Sequence, residues 1–165
     1  KLKIMLGRTD LVCEWLRGGI VDFGIVVDNV DFKGLTTEIL KEGTFSLIQK
    51  KGSEANWHEA GVLTVEGKRE VLKLKQKYNS HFNGELKIKM EIGSWGVIER
   101  FVESGIGAGF VPDFMFKANS KMRKYKFIEQ KKLSVPYTMN LIRKADHYLP
   151  GRCQRVIDEF VSRAN

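Results

Sequence analysis

An α/β fold is predicted by three features of the sequence. Leu86, Ile88, Met90 and Ile92 alternate with Lys87, Lys89 and Glu91, the two-residue period of a strand. Val71, Leu74, Tyr78 and Phe82 recur at helical spacing just after a strand-like stretch at 62–65. The same strand-then-helix order appears at the front of the chain, so strands and helices alternate as in sheets that are mainly parallel.

The elements follow in order. Leu2, Ile4 and Leu6 alternate with Lys3 and Met5 before Gly7, as in a partly exposed strand. Thr9 or Asp10 is placed to cap a helix whose apolar positions Leu11, Val12, Trp15 and Leu16 share a face, ended by Gly18 and Gly19. Residues 20–27 read as a buried strand, and a connection at 28–34 leads to two short strands, 36–40 and 45–48. A polar loop at 50–56 precedes strand 62–65, Gly67, the helix carrying Val71 and the strand at 86–92. Ser94 begins a helix bearing Val97, Ile98, Phe101 and Val102, which Gly105 stops. A strand at 107–111 ends at Pro112, followed by a short helix at 114–118 and strands near 124–129 and 137–142. Pro150 opens a last helix with Cys153, Val156, Ile157, Phe160 and Val161 on one side.

At 165 residues with 42% hydrophobic content, the chain is sized for one ordinary domain or two small lobes. No apolar run approaches the roughly 20 residues needed to cross a bilayer, and Lys1-Leu2-Lys3-Ile4 lacks signal-peptide anatomy. A cytoplasmic protein without a membrane partner is expected. Cys13 and Cys153 fall on apolar helix faces and read as reduced, buried small hydrophobes, with a redox pair as the alternative. The net charge of +8 is uneven: residues 117–132 hold seven Lys or Arg against the single acid Glu129. Nucleic-acid binding is one reading of that stretch. A solvated lysine-rich face is the other, favoured by the lack of interleaved aromatics for base stacking.

Catalytic signatures are absent. The sequence has no Walker loop, GxSxG elbow, HExxH or CxxC, and His58, His81 and His147 have no metal-ligand spacing. No catalytic residue, metal or cofactor is assigned. Gly105-Ile106-Gly107-Ala108-Gly109 mimics a dinucleotide fingerprint but follows a helix and enters a strand, the reverse of the order that sets phosphate on a helix N-terminus. Gly105 is read instead as a left-handed helix stop, and Gly107 and Gly109 as sites of close strand packing. The apolar strands at 45–48 and 137–142 bracket a self-contained set of α/β units, as when a chain leaves one lobe and returns to it.

The stretch from Ser94-Trp95-Gly96 through Val102, Gly105-Ile106-Gly107 and Phe110-Val111-Pro112-Asp113 resembles one found throughout LysR-type transcriptional regulators. Leu6-Gly7-Arg8-Thr9-Asp10-Leu11, followed by Leu16-Arg17-Gly18-Gly19-Ile20-Val21-Asp22-Phe23-Gly24-Ile25, is similar to their G-x-T … L-x-x-G-x-x-D-x-x-I stretch. The resemblance spans essentially the whole chain. It implies two Rossmann-like lobes of the periplasmic-binding-protein type II kind, joined by two crossover strands, with a small effector bound between them. Lobe I is expected at 1–50 plus 138–165 and lobe II at 51–137. By the same resemblance a further strand and helix, and before them a winged helix-turn-helix and a linker helix, are expected ahead of the pattern that starts at Lys1, and DNA is expected to be reached only through a domain absent from this chain. The resemblance also implies side-by-side association of sensing domains as a homodimer or tetramer, with the strand at 2–6 and its following helix as candidate contact surfaces.

Ligands of open α/β sheets sit beyond the carboxyl ends of strands, where helix N-termini present unpaired N–H groups and partial positive charge. Four loops qualify: Arg8-Thr9, Asp28-Asn29, Gly67-Lys68-Arg69 and Ser94-Trp95-Gly96. Ser94 either caps its own helix or also donates to a ligand, while the N–H groups of Trp95 and Gly96 suit a carboxylate or phosphate. Thr9 has the same two roles open to it, and Trp95 those of packing residue or lid. Lys68 and Arg69 match an anion by charge. Two rivals share the fold: a transporter's solute-binding protein, and an enzyme using Asp28 as its one cleft acid.

Overall fold

In the computed structural model, residues 2–117, 124–145 and 151–164 are described. They form two compact units, one built from residues 1–42 and 137–165 and the other from 43–136. Seven strands and seven helices alternate along the described chain, save that the first two strands follow one another directly.

In unit 1, α1 (Thr9–Arg17) packs on β1 (Gly24–Val27) through Val12, Cys13 and Leu16. Its N-cap is Arg8, in extended conformation, one residue before the expected caps; Thr9 is already helical and buried. Gly18 closes the helix, and Gly19 turns the chain at φ +69°. β1 pairs antiparallel with β7 (Val135–Lys144), Gly24 opposite Ile142 and Val27 opposite Met139. β7 in turn neighbours β2 (Leu35–Lys50).

The two faces of this sheet are covered differently. Gly24, Val26 and Ile142 face α1, and Gly24 must be glycine because a Cβ would lie 2.6 Å from Val12 Cγ1. Ile25 and Leu141 face the other way, where Leu40, Ile157 and Val161 complete a second cluster with α7 (Gly151–Ala164). Cys13 and Cys153 thus sit on helices covering opposite faces, both buried as free thiols. The sheet between them rules out the redox pair, since a disulfide needs Cα atoms within about 7 Å. Burial pushes the Cys13 thiol up from its ordinary value.

The expected strand at 2–6 does not form. The segment runs irregularly with Leu2, Ile4 and Leu6 at 59%, 76% and 92% exposure, because an extended segment becomes a strand only when a neighbour takes its hydrogen bonds, and none of the described residues does so.

Unit 2 is built on the second half of β2. The short strands expected at 36–40 and 45–48 are one continuous strand of 16 residues. Its end pairs antiparallel on one side with β5 (Ala108–Pro112), Leu47 opposite Phe110, and on the other with β6 (Tyr125–Ile128), Leu47 opposite Ile128. β5 lies parallel to β3 (Val62–Thr64), which lies parallel to β4 (Ile88–Glu91). The sheet expected to be mainly parallel is therefore mixed, because β2 and β7, which carry the chain between units, run against their neighbours β5 and β1.

Between these strands, α3 (Arg69–Phe82) buries Val71, Leu74 and Tyr78, and α4 (Trp95–Glu103) buries Ile98 and Val102. A Cβ on Gly109 would come within 2.6 Å of both Ile98 Cγ2 and Val102 Cγ2, so the glycine is what lets α4 lie on the sheet. Gly105, at φ +81°, ends α4 in the left-handed conformation read from the sequence. Gly107 has only ordinary contacts. Among its described residues the unit also has three four-residue helices: α2 (Trp57–Ala60), α5 (Phe114–Lys117) and α6 (Gln130–Leu133). Ala118, His147 and Pro150 lie outside the described residues, as does 118–123 of the lysine-rich stretch.

Candidate functional site

Two candidate loops belong to each unit. In unit 2 they leave the sheet side by side, because β3 and β4 are parallel neighbours: Thr64 pairs with Glu91, and the Ile92 N–H donates to the Thr64 carbonyl at 2.8 Å. Gly67, at φ +55°, turns the chain into Lys68, the N-cap of α3, and Arg69, its first residue. Ser94 is the N-cap of α4, with Trp95 and Gly96 in the first turn.

The Ser94 hydroxyl makes no cap hydrogen bond to its own helix, and the side chain is exposed. The helix instead starts with the N–H groups of Val97 and Ile98 bonding the Ser94 carbonyl at 3.2 and 3.1 Å. A Cβ added at Gly96 would meet only Ser94 Oγ, at 3.7 Å, so the first turn is open there. Trp95 is half-buried, its ring 5.6 Å from Phe45 and 6.1 Å from Phe114. Its indole N–H is nonetheless buried with no hydrogen-bond partner among the described residues.

Charge separates the helix starts. α1 has Asp10 in its first turn and α3 has the buried Glu70, each placing a carboxylate at the positive end of its helix. No acid stands in the first turn of α4. Its positive end is the one of the three left for an outside anion.

In unit 1, the Arg8 guanidinium bonds the Asp10 carboxylate at 3.0 Å, with both side chains well exposed. Thr9 is 7% exposed and packed at the start of α1. Asp28 is engaged by β7: Oδ1 accepts from the Thr138 N–H at 2.8 Å, and the Asp28 N–H donates to the Thr138 carbonyl at 3.1 Å. Asn29 beside it is buried. The Asn140 amide donates to the carbonyl and hydroxyl of Thr138, at 3.0 and 2.8 Å. This clasp locks the end of β1 to β7 and gives Asp28 a structural task.

Two polar residues near these loops were not singled out from the sequence. Thr64, at the end of β3, is fully buried and Ser46, on β2, is 1% exposed, and neither hydroxyl has a hydrogen-bond partner among the described residues. A threonine ending an apolar strand was the available signal for the first. Among the described residues no group of three His, Cys, Asp or Glu is disposed to hold a metal, and no helix is long and apolar enough to cross a membrane. His58 Nδ1 is taken up by the Tyr78 hydroxyl at 2.7 Å and His81 Nδ1 by the Lys77 carbonyl at 2.8 Å.

The model of the LysR substrate binding domain matches residues 1–165, the whole chain. The chain belongs to that family. As a LysR substrate binding domain it is the effector-sensing part of a LysR-type transcriptional regulator. Solved structures agree on the fold. The apo regulatory domain of HypT from Salmonella typhimurium is 10% identical, with a TM-score of 0.75 over 95% of this chain and 79% of that one. A sulfate-bound mutant OxyR2 regulatory domain from Vibrio vulnificus is 14% identical, with a TM-score of 0.68 over 96% and 79%. The CcmR regulatory domain from Synechocystis PCC6803, in complex with 2-PG, is 12% identical, with a TM-score of 0.72 over 96% and 80%. No curated protein matches the chain. Family membership favours the regulator over the solute-binding rival.

Proposed function

We propose that this LysR substrate binding domain senses a small anion, of carboxylate or phosphate type, held at the N-terminus of α4. The observation that carries the reading is Ser94: it occupies the cap position without capping, so its hydroxyl is available to a ligand alongside the first N–H groups of the helix. The absence of an acid from that turn supports it. So does the anionic occupant of the sulfate-bound OxyR2 domain. Lys68 and Arg69, starting α3 from the adjacent strand, add attraction by charge. Arg8, already bonded to Asp10, and Thr9, packed into α1, contribute less. Asp28 and Asn29 shape unit 1 rather than touch the anion, since a carboxylate repels it.

No bond is made or broken. The anion shifts a pre-existing conformational equilibrium by binding one arrangement better, and in the intact cytoplasmic regulator, a dimer or tetramer, that arrangement repositions DNA-binding domains. The domain is not an enzyme in this reading.

The test is a thermal-shift screen of the chain against sulfate, phosphate, small dicarboxylates and phosphorylated acids, repeated for Ser94→Ala. A melting-temperature gain that rises with ligand concentration and shrinks in Ser94→Ala supports the reading. Turnover of any compound, or a gain unchanged in Ser94→Ala, refutes it.

A further inference from the structure

The basic residues are unevenly shared: 43–136 carries 17 Lys or Arg against 10 Asp or Glu, and the rest of the sequence 11 against 10. Within unit 2, one group gathers at the end of the sheet where β3, β4 and β5 begin, opposite the end from which the chain enters α3 and α4. Lys87 Nζ donates to the Glu59 carbonyl at 2.7 Å, Lys89 Nζ to the Ile106 carbonyl at 2.6 Å and Lys126 Nζ to the Ser53 carbonyl at 2.8 Å. Lys50 runs beside Gly105, the Lys51 N–H bonds the Lys124 carbonyl at 2.8 Å, and the Lys124 ammonium bonds the Glu103 carboxylate. Lys89 also lies against Gly61 and Gly107. These contacts set six exposed lysines in a band at one end of the sheet, with the ammonium groups of Lys87, Lys89 and Lys126 anchored on carbonyls and that of Lys124 paired with an acid.

Electrostatics explains why they collect there. α2 and α4 both end at this pole, and the last carbonyls of a helix carry partial negative charge. An ammonium that gives one N–H to a carbonyl keeps its full charge and two further donors. The anchoring also pre-orders long side chains whose entropy would otherwise oppose binding. Among the described residues, Trp57 of α2 is packed against Tyr78 and Phe82 and so is taken up in the fold, which leaves the lysines to suit a backbone of repeated phosphates and not a particular sequence.

We infer that this band is a second contact surface for duplex DNA, holding phosphates without reading bases, in addition to any dedicated DNA-binding domain. It is a different surface from the anion site at α4 and stands whether or not that site is correct.

The test is fluorescence anisotropy of the 165-residue chain with a labelled duplex of arbitrary sequence, at stepped salt from about 50 to 200 mM. The expected result is binding whose affinity falls steeply with salt. In Lys87→Gln/Lys89→Gln/Lys126→Gln it should weaken by about tenfold or more at the lowest salt, with the slope against log salt reduced by about 0.9 per lost phosphate contact. Lys73→Gln/Lys75→Gln/Lys77→Gln, which removes the same charge from α3, should change affinity by less than about threefold. Replacing the three band lysines by arginine keeps the charge and should preserve binding, which separates loss of contact from loss of fold. No binding at low salt, equal losses in the two glutamine variants, or binding to poly-glutamate in place of DNA overturns the inference.

Discussion

The Tyr125 hydroxyl donates to Glu99 Oε1 at 3.2 Å, with the two residues 5% and 6% exposed. Burial, then the Glu99 charge and the hydrogen bond, push the phenol well above its ordinary value. The neutral phenol is thus favoured in the fold. Its stabilisation is complete below the unfolded value of about 10 and is lost as pH rises above it toward the folded value. Tyr125→Phe should cost about 1–3 kcal/mol at neutral pH, and the difference in melting temperature from the parent should shrink above about pH 10. Melting curves across that range provide the measurement; a constant difference contradicts the assignment.

Gly109→Ala forces a Cβ to within 2.6 Å of Ile98 and Val102, side chains that cannot swing away into solvent. The expected cost is about 1–3 kcal/mol, read from urea denaturation. The same change at Gly96, where only Ser94 Oγ is near, should be tolerated within about 0.5 kcal/mol.

Ser94→Ala in the ligand-free protein should leave stability within about 0.5 kcal/mol, because there is no cap bond to lose. A drop of about 1 kcal/mol, typical of a working cap, would show that the serine serves its helix.

Asp28→Ala removes the acceptor of the Thr138 N–H and should destabilise the protein by about 1–2 kcal/mol. Faster amide exchange at Thr138 would locate the loss in the clasp. Unchanged exchange there contradicts it.

Much of this architecture is legible in the alternation and spacing of apolar residues. The exceptions share a cause: strand limits depend on neighbours that a local pattern does not name. Lys41, Glu42, Gly43 and Thr44 interrupt the apolar pattern, yet β2 runs through them. Leu2, Ile4 and Leu6 alternate as a strand should and form none. α2 and α6, four residues each, are too short to show a helical period. At the candidate site, Ser94 as the start of a helix was readable from the sequence. Its failure to cap depends on a side-chain rotamer and on the turn geometry of Val97 and Ile98, which residue identity does not encode.

The pairing of β1 with β7 also sets an order of events during synthesis. Asp28 waits for Thr138, 110 residues later, before the clasp can close, whereas β2 through β6 are complete by Ile128. On the ribosome the middle of the chain can therefore settle while the first unit to emerge is still half-made. Until β7 and α7 arrive, β1 has no strand to pair with through its own register and one face of it has no helix to cover it.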